Sequence, residues 1–206
     1  MNRDCFKSFP VFQTDRLNIR AFREDDFCEY TEWHNGDILY YMMGIHYVEK
    51  DDIECFRRLF FKNVPRMFQT KESIVWCVAE KNSDKCIGKI ELFRFDMNSN
   101  SAEIGYCLSK SERGKGYITE AVKKIIDWAF NILDLNRIYS HVLDENTNSA
   151  NVLLRCGFQL EGVLRENITT KYTKNGEVIK NSKVKNYKDE RIYGLIKSKY
   201  NLTKST

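Results

Sequence analysis

Arg113-Gly114-Lys115-Gly116 is the stretch of this sequence best equipped for chemistry. It stands directly before a run whose apolar residues recur at helical spacing: Ile118, Ala121, Val122, Ile125, Ile126, Trp128, Ala129 and Ile132. A glycine-rich turn that opens a helix leaves the first backbone N–H groups without partners. Those groups, with the positive end of the helix dipole, suit a phosphate. The nucleotidase pattern GxxxxGKS or GxxxxGKT is absent. Glu103, on the strand that leads into the loop, could accept a proton. Asn148-Ser149 reads as the cap of a later helix. Cys107 and Cys156 have no partnered histidine and read as small packing residues. His34, His46 and His141 stand alone, without metal-ligand spacing, and His141 reads as a satisfied sheet residue. No metal site is expected.

These residues need a sheet to hold them. Thr14–Phe22 alternates as a strand, and Glu24-Asp25-Asp26 opens a helix to about Trp33. Asp37–Met43 reads as a short helix or turn. A helix over Lys50–Asn63 is expected to end at Pro65. Ser73–Glu80, Lys85–Phe95 and Ser101–Leu108 form an antiparallel meander. The helix Gly116–Leu133 then crosses over to a strand at Arg137–Val142, so this strand and Ser101–Leu108 should run parallel. A helix ends near Arg155 at Gly157. Phe158–Lys174 and Val184–Ile196 read as a last strand pair joined through Asn175-Gly176. The order is that of a mixed α/β sheet in one domain spanning residues 1–206.

Composition bounds the partners. Forty-two per cent hydrophobic and thirty per cent charged residues, with two prolines, describe a globular chain without long linkers. Seven scattered cysteines without a CxxC pair read as reduced thiols in a cytoplasm. No signal-peptide core or membrane-length stretch is present, so no membrane partner is expected. Residues 165–206 carry eleven Lys/Arg against four Asp/Glu, a balance of +7, which leaves −3 for the rest of a chain of net charge +4. That basic third could meet an acidic partner or be a solvated edge strand and tail. Direct nucleic-acid binding is disfavoured, because aromatic and basic residues are not interleaved.

Four pieces, in order, carry a resemblance: TDRLNIRAFREDD, AEIGYCLS, ERGKGYITEA and ENTNSANVLLRCGFQLEG. Together they resemble the GNAT superfamily of N-acetyltransferases, in its branch of ribosomal-protein serine and alanine N-terminal acetyltransferases. The resemblance implies a mostly antiparallel sheet, flanked by helices and splayed between the fourth and fifth strands. It implies acetyl-CoA as donor and a primary amine as acceptor. The amides around Arg113, Gly114, Lys115, Gly116, Tyr117, Ile118 and Thr119 would cradle the pyrophosphate. Tyr106, Cys107, Leu108 and Ser109 would pair with the pantetheine as an added strand. Asn146 would bond the pantetheine, and Arg155 would lie near the ribose phosphate or balance its helix dipole. Ser111 departs from the superfamily's Gln or Arg at its place.

Amine acetylation needs a base, a polarised thioester, a stabilised oxyanion and a proton for the leaving thiolate. The resemblance puts Glu103 where several relatives carry a base. Otherwise it is a solvent-facing acid, or one paired with Lys or Arg. Glu166 is a rival base whose plainer reading is a surface acid. Ser149 stands where the thiolate-side proton would come from, or is a helix cap. Leu153 replaces the tyrosine acid of many superfamily members. A backbone N–H at Cys107 or Leu108 could serve the oxyanion. The expected function is acetyl transfer to a primary amine, either a ribosomal or other protein N-terminus or a small amine such as a polyamine or antibiotic. A non-catalytic CoA sensor is the alternative outside the enzymes. Trp33, Tyr40 and Tyr41 could wall an acceptor pocket or lie in the core, and Tyr40–Tyr47 is a stretch where a homodimer face could form.

Overall fold

Alternation along Ser73–Glu80 separates the two faces of the fold. Ile74, Trp76 and Val78 enter the main core with Val122, Ile125, Ile126 and Trp128. Cys77 and Ala79 point the other way and pack with Cys86 and Phe22. All eight positions except Glu80 are buried, so the strand reads as a continuous apolar run rather than a half-exposed one.

The computed structural model describes residues 1–33, 53–169 and 187–204. Along the chain lie β1 (Phe12–Gln13), β2 (Leu17–Arg20), α1 (Asp26–Trp33), α2 (Ile53–Gln69), β3 (Ser73–Glu80), β4 (Cys86–Asp96) and β5 (Ser101–Leu108). There follow α3 (Tyr117–Asn131), β6 (Arg137–Leu143), α4 (Thr147–Arg155), β7 (Gln159–Thr169), β8 (Tyr187–Ile196) and α5 (Lys197–Lys204). The strands form one sheet in the order β1-β2-β3-β4-β5-β6-β8-β7. Its pairs are antiparallel except β5 with β6, which the α3 crossover makes parallel. The antiparallel meander, the crossover and the parallel pair are as the sequence predicts. Among the described residues no helix is long and apolar enough to cross a membrane.

α3 buries Ala121, Val122, Ile125, Ile126, Trp128, Ala129 and Phe130 on the sheet. Trp128 meets Trp76 edge to face, with ring centroids 5.9 Å apart. Ile132, expected on this face, is 55% exposed, because the helix stops at Asn131 and Phe130 fills the core instead. On the opposite side, Tyr30 of α1 packs against Phe56 and Phe60 of α2. The start of α1 is bolted to β2 by Arg20. This buried guanidinium donates to both Asp26 oxygens, at 2.7 and 2.9 Å, and also to Asp84.

Several expected boundaries move. The first strand is confined to Leu17–Arg20, with Phe12–Gln13 added as a short neighbour, so the expected fourth and fifth strands are β5 and β6. Pro65 does not end α2 but lies inside it. The turn after it is held from outside the helix, since Phe68 packs on Phe6 and Phe9 at 5.6 and 5.1 Å. Tertiary packing there outweighs the missing N–H. The segments 34–52 and 170–186, with Asp37–Met43, His34, His46, Tyr40–Tyr47 and Asn175-Gly176, lie outside the described residues.

Candidate active site

β5 and β6 pair only where Ser101–Glu103 meet Arg137–Tyr139. Beyond Glu103 the strands part, and the backbone of Ile104–Leu108 has no strand partner on that side. A cavity of about 500 Å³ fills the opening. Gly105 helps keep it open, since a Cβ there would sit 3.2 Å from the Phe93 ring and 3.3 Å from a Glu91 oxygen.

One end of the cavity is the loop. Gly114 and Gly116 have φ of +78° and +83°, which an L side chain rarely adopts. Gly116 is the N-cap of α3 and brings no side chain to its amides. The first helical bond runs from Glu120 N to Gly116 O at 3.1 Å, so the amides of Tyr117, Ile118 and Thr119 have no acceptor within the helix. Arg16 fastens this loop to the sheet. Its Nη1 donates to Lys115 O at 2.9 Å, its Nε donates to Glu120 at 2.7 Å, and its guanidinium lies 4.6 Å over the Tyr117 ring. Arg113 reaches back to donate to Leu108 O at 3.2 Å.

In the middle lie Tyr106 and Ser149. The Ser149 hydroxyl donates to the Tyr106 phenol at 3.0 Å, and that phenol donates to the Ser149 carbonyl at 3.0 Å. Burial pushes the Tyr106 phenol up, against the pull of the Ser149 bond. The helix cap is Asn146, whose Oδ1 accepts from Ser149 N at 3.2 Å; Ser149 is therefore inside the first turn and is not the cap. Its hydroxyl is not used by the cap and goes to Tyr106 instead. Leu153 is fully buried in the core. Burial pushes the thiols of Cys107 and Cys156 up, to about 12 and about 11, which keeps them protonated and fits the packing reading.

The far end is acidic. Glu103 is 4% exposed and accepts from Arg94 at 2.7 Å. Glu91 accepts from the buried Lys89 at 3.2 Å. Beside them on β6 is His141, whose Nδ1 lies 3.2 Å from a Glu190 oxygen.

Glu103, Tyr106, Cys107, Leu108, Arg113, Gly114, Gly116, Tyr117, Ile118, Thr119, Asn146, Ser149 and Arg155 all line this one cavity. Two expected residues lie outside its wall. Ser109 is buried and its hydroxyl shares a hydrogen bond with Ser111 at 3.2 Å. Lys115 turns its amine to Glu112 at 2.9 Å. Glu166 lies on exposed β7, where its N–H donates to Asp189. No motif in the sequence singles out Glu91 or the Tyr106 phenol; His141 lies on β6 with Glu190 as its partner, as its reading as a satisfied sheet residue expects. Strand alternation could have found Glu91, because it shares a face with Lys89 and Phe93. The phenol's contact with Ser149 spans forty-three residues, and no local pattern announces it.

The fold is thus a mixed α/β sheet whose parallel pair parts above a helix N-terminus with uncovered amides. Residues 16–159 match the acetyltransferase (GNAT) domain family, and the chain belongs to it as an N-acetyltransferase. It is 32% identical to the uncharacterized N-acetyltransferase p20 of Bacillus licheniformis, over 74% of this chain and 84% of that one. It is 29% identical to the spermidine N(1)-acetyltransferase of Vibrio cholerae, over 73% and 83% of the two. A ribosomal-protein-serine acetyltransferase of Escherichia coli is 36% identical over 40% of this chain and 46% of its own. Among solved structures, a probable acetyltransferase superposes with a TM-score of 0.75 at 25% identity, covering 93% of this chain and 99% of that one.

Proposed function

We propose that the chain is a single acetyltransferase domain that moves acetyl from acetyl-CoA to a primary amine that arrives as a cation. The observation that carries this is the cavity itself, which joins uncovered amides at one end to two carboxylates at the other. The residues fit the donor. The amides of Tyr117, Ile118 and Thr119, with Arg113, suit a pyrophosphate. The open edge of Tyr106–Leu108 suits the amides of a pantetheine arm, Asn146 can donate from its side-chain nitrogen, and Arg155 stands at the mouth for a ribose phosphate. In this reading Ser149 faces the departing sulfur and supplies its proton, while Glu103 and Glu91 receive the ammonium.

Two acceptor classes follow from two observations. Two carboxylates on the cavity wall, of which Glu103 is paired among the described residues only with the exposed Arg94, suit a polycation such as spermidine, the substrate class in the name of the Vibrio cholerae relative. The basic residues 165–206 suit a protein N-terminus presented beside acidic RNA, in keeping with the ribosomal-protein relative. Thiol release from acetyl-CoA, measured against spermidine, an aminoglycoside and peptides beginning with Ser, Ala or Met, separates the two. Turnover of spermidine alone selects the small amine, and turnover of peptides alone selects the protein N-terminus. Tight CoA binding with no turnover of any amine would sink the enzymatic reading and leave a sensor.

A further inference from the structure

We propose that His141, held by Glu190, is the base that takes the proton from the acceptor amine, an inference that rests on the acetyl-transfer reading above. The two carboxylates nearest the acceptor end each have a cation already. Glu103 Oε2 accepts from Arg94 Nη1 at 2.7 Å, and Glu91 Oε1 accepts from Lys89 Nζ at 3.2 Å. His141 lines the same cavity and differs from both. Its Nδ1 lies 3.2 Å from Glu190 Oε2, and Nε2 has no polar partner among the described residues.

Three strands build the pair. On β6, His141 stands two residues beyond Tyr139, which is the register partner of Glu103 on β5. Side chains two apart share a face, so imidazole and Glu103 carboxylate are on the same side of the sheet. β8 runs antiparallel with Glu190 opposite Leu143, again two residues along from His141. β7 adds Asn167, whose Nδ2 donates to Glu190 Oε2 at 2.7 Å. Glu190 is 2% exposed. A carboxylate buried that deeply is retained at a cost unless it is well partnered. Its partners here are a neutral amide and an imidazole. Glu190 Oε2 is the nearest acceptor to Nδ1, at 3.2 Å. Because a carboxylate only accepts, in this scheme the imidazole proton is on Nδ1 and the free lone pair on Nε2. The Tyr139 ring on its own strand stands beside the imidazole, with centroids 5.7 Å apart, and Glu103, paired with Arg94, lies on the same face of the sheet by register.

The ammonium gives one proton to Nε2, which passes it to solvent. The amine lone pair then attacks the thioester carbonyl carbon, and the carbon–sulfur bond breaks. The sulfur takes the second nitrogen proton, relayed by Ser149, as the nitrogen becomes an amide. One proton in all is released, and the products are the acetylated amine and the free thiol. Glu190 is a positioning residue in this scheme, because it acts through the imidazole.

The experiment measures thiol release with the amine that wild type turns over, using His141→Gln, His141→Ala, Glu190→Gln and Glu103→Gln. CoA affinity by calorimetry and a thermal melt accompany each variant. We expect His141→Gln to lose about 100-fold or more in kcat with KM for acetyl-CoA unchanged. His141→Ala should recover part of its rate when free imidazole is added, which a merely structural histidine would not show. Glu190→Gln should lower kcat while sparing the KM for both substrates, and Glu103→Gln should act chiefly on the KM for the amine. A folded His141→Gln that keeps kcat within about threefold of wild type would overturn the proposal, as would a collapse of kcat in Glu103→Gln alone. The His141 variants decide the matter if Glu190→Gln fails to fold. Wild type inactive with every amine is a different failure, because it removes the acetyl-transfer reading itself.

Discussion

Tyr106 and Ser149 are joined by two hydrogen bonds at 3.0 Å, one in each direction. The Tyr106 phenol accepts from the Ser149 hydroxyl, while Leu153 is buried in the core. Removing only the phenol oxygen keeps the ring and its packing. Tyr106→Phe is therefore expected to lower kcat by roughly tenfold, the worth of one hydrogen bond, while acetyl-CoA affinity stays as it was. Steady-state kinetics beside calorimetry checks this, and an unchanged kcat would show that Ser149 needs no such support. Asn146 is the contrasting case. It caps α4, so Asn146→Ala should cost about 1 kcal/mol of stability in a urea titration besides weakening the donor. Ser149→Ala should leave that stability nearly untouched, because the cap is elsewhere. Of these three residues, the sequence marked Ser149 and Asn146 by their resemblance to family positions. It marked Tyr106 only as a backbone. Its phenol meets Ser149 only because β5 and α4 approach in space.

At the scale of elements, the loop and α2 make opposite demands on the backbone. Gly116 needs φ of +83°, and a Cβ there would also stand 3.4 Å from the Arg16 guanidinium. Gly116→Ala is expected to cost about 1 kcal/mol in stability and to raise the KM for acetyl-CoA, since it tilts the amides that face the cavity. A variant with wild-type KM would place the phosphate elsewhere. Pro65 is the reverse, a residue the local structure would be better without. Replacing it with Ala restores an N–H to the helix interior. Pro65→Ala should raise the urea midpoint by an amount equivalent to about 1–3 kcal/mol. A lowered midpoint would mean that Phe68 depends on the bend for its contacts with Phe6 and Phe9.

The molecule as a whole is held by charge as well as by its core. Burial is the largest influence on Asp84 and raises it, but Asn18, Arg20 and Arg23 together hold it below the ordinary carboxylate range. Glu120 is likewise raised by burial and brought down by Thr14 and Arg16, and Arg137 holds Glu161 low. A carboxylate lowered in the folded state binds its proton less readily there than in the unfolded chain. Its contribution is complete above about pH 4, near the unfolded value, and is lost as pH falls through the folded one. The urea midpoint should therefore drop between about pH 5 and about pH 3, and Asp84→Asn should drop less over the same range. An equal drop in the variant would assign acid sensitivity to other groups.

Periodicity and turn chemistry are local, and they are why Ser101–Leu108, the α3 helix, the meander and the parallel crossover are legible in the sequence alone. Each rests on side chains that alternate or recur along a single element and must hide from water. The turn that leaves the first amides of α3 uncovered was legible for the same reason, because two glycines before a helix specify their own conformation. What the sequence left open lies between elements. Pro65 stays helical because distant phenylalanines hold the turn beyond it. Ile132 is exposed because the helix stops one residue short of it. The Ser149 hydroxyl meets Tyr106, Arg94 meets Glu103, and Glu190 stands behind His141 only because strands far apart in the chain are brought into register. A lone histidine in RIYSHV carries no local sign of its carboxylate forty-nine positions later. Burying that carboxylate beside it is an act of the folded sheet alone, since only there does the charge lose its water and need the imidazole.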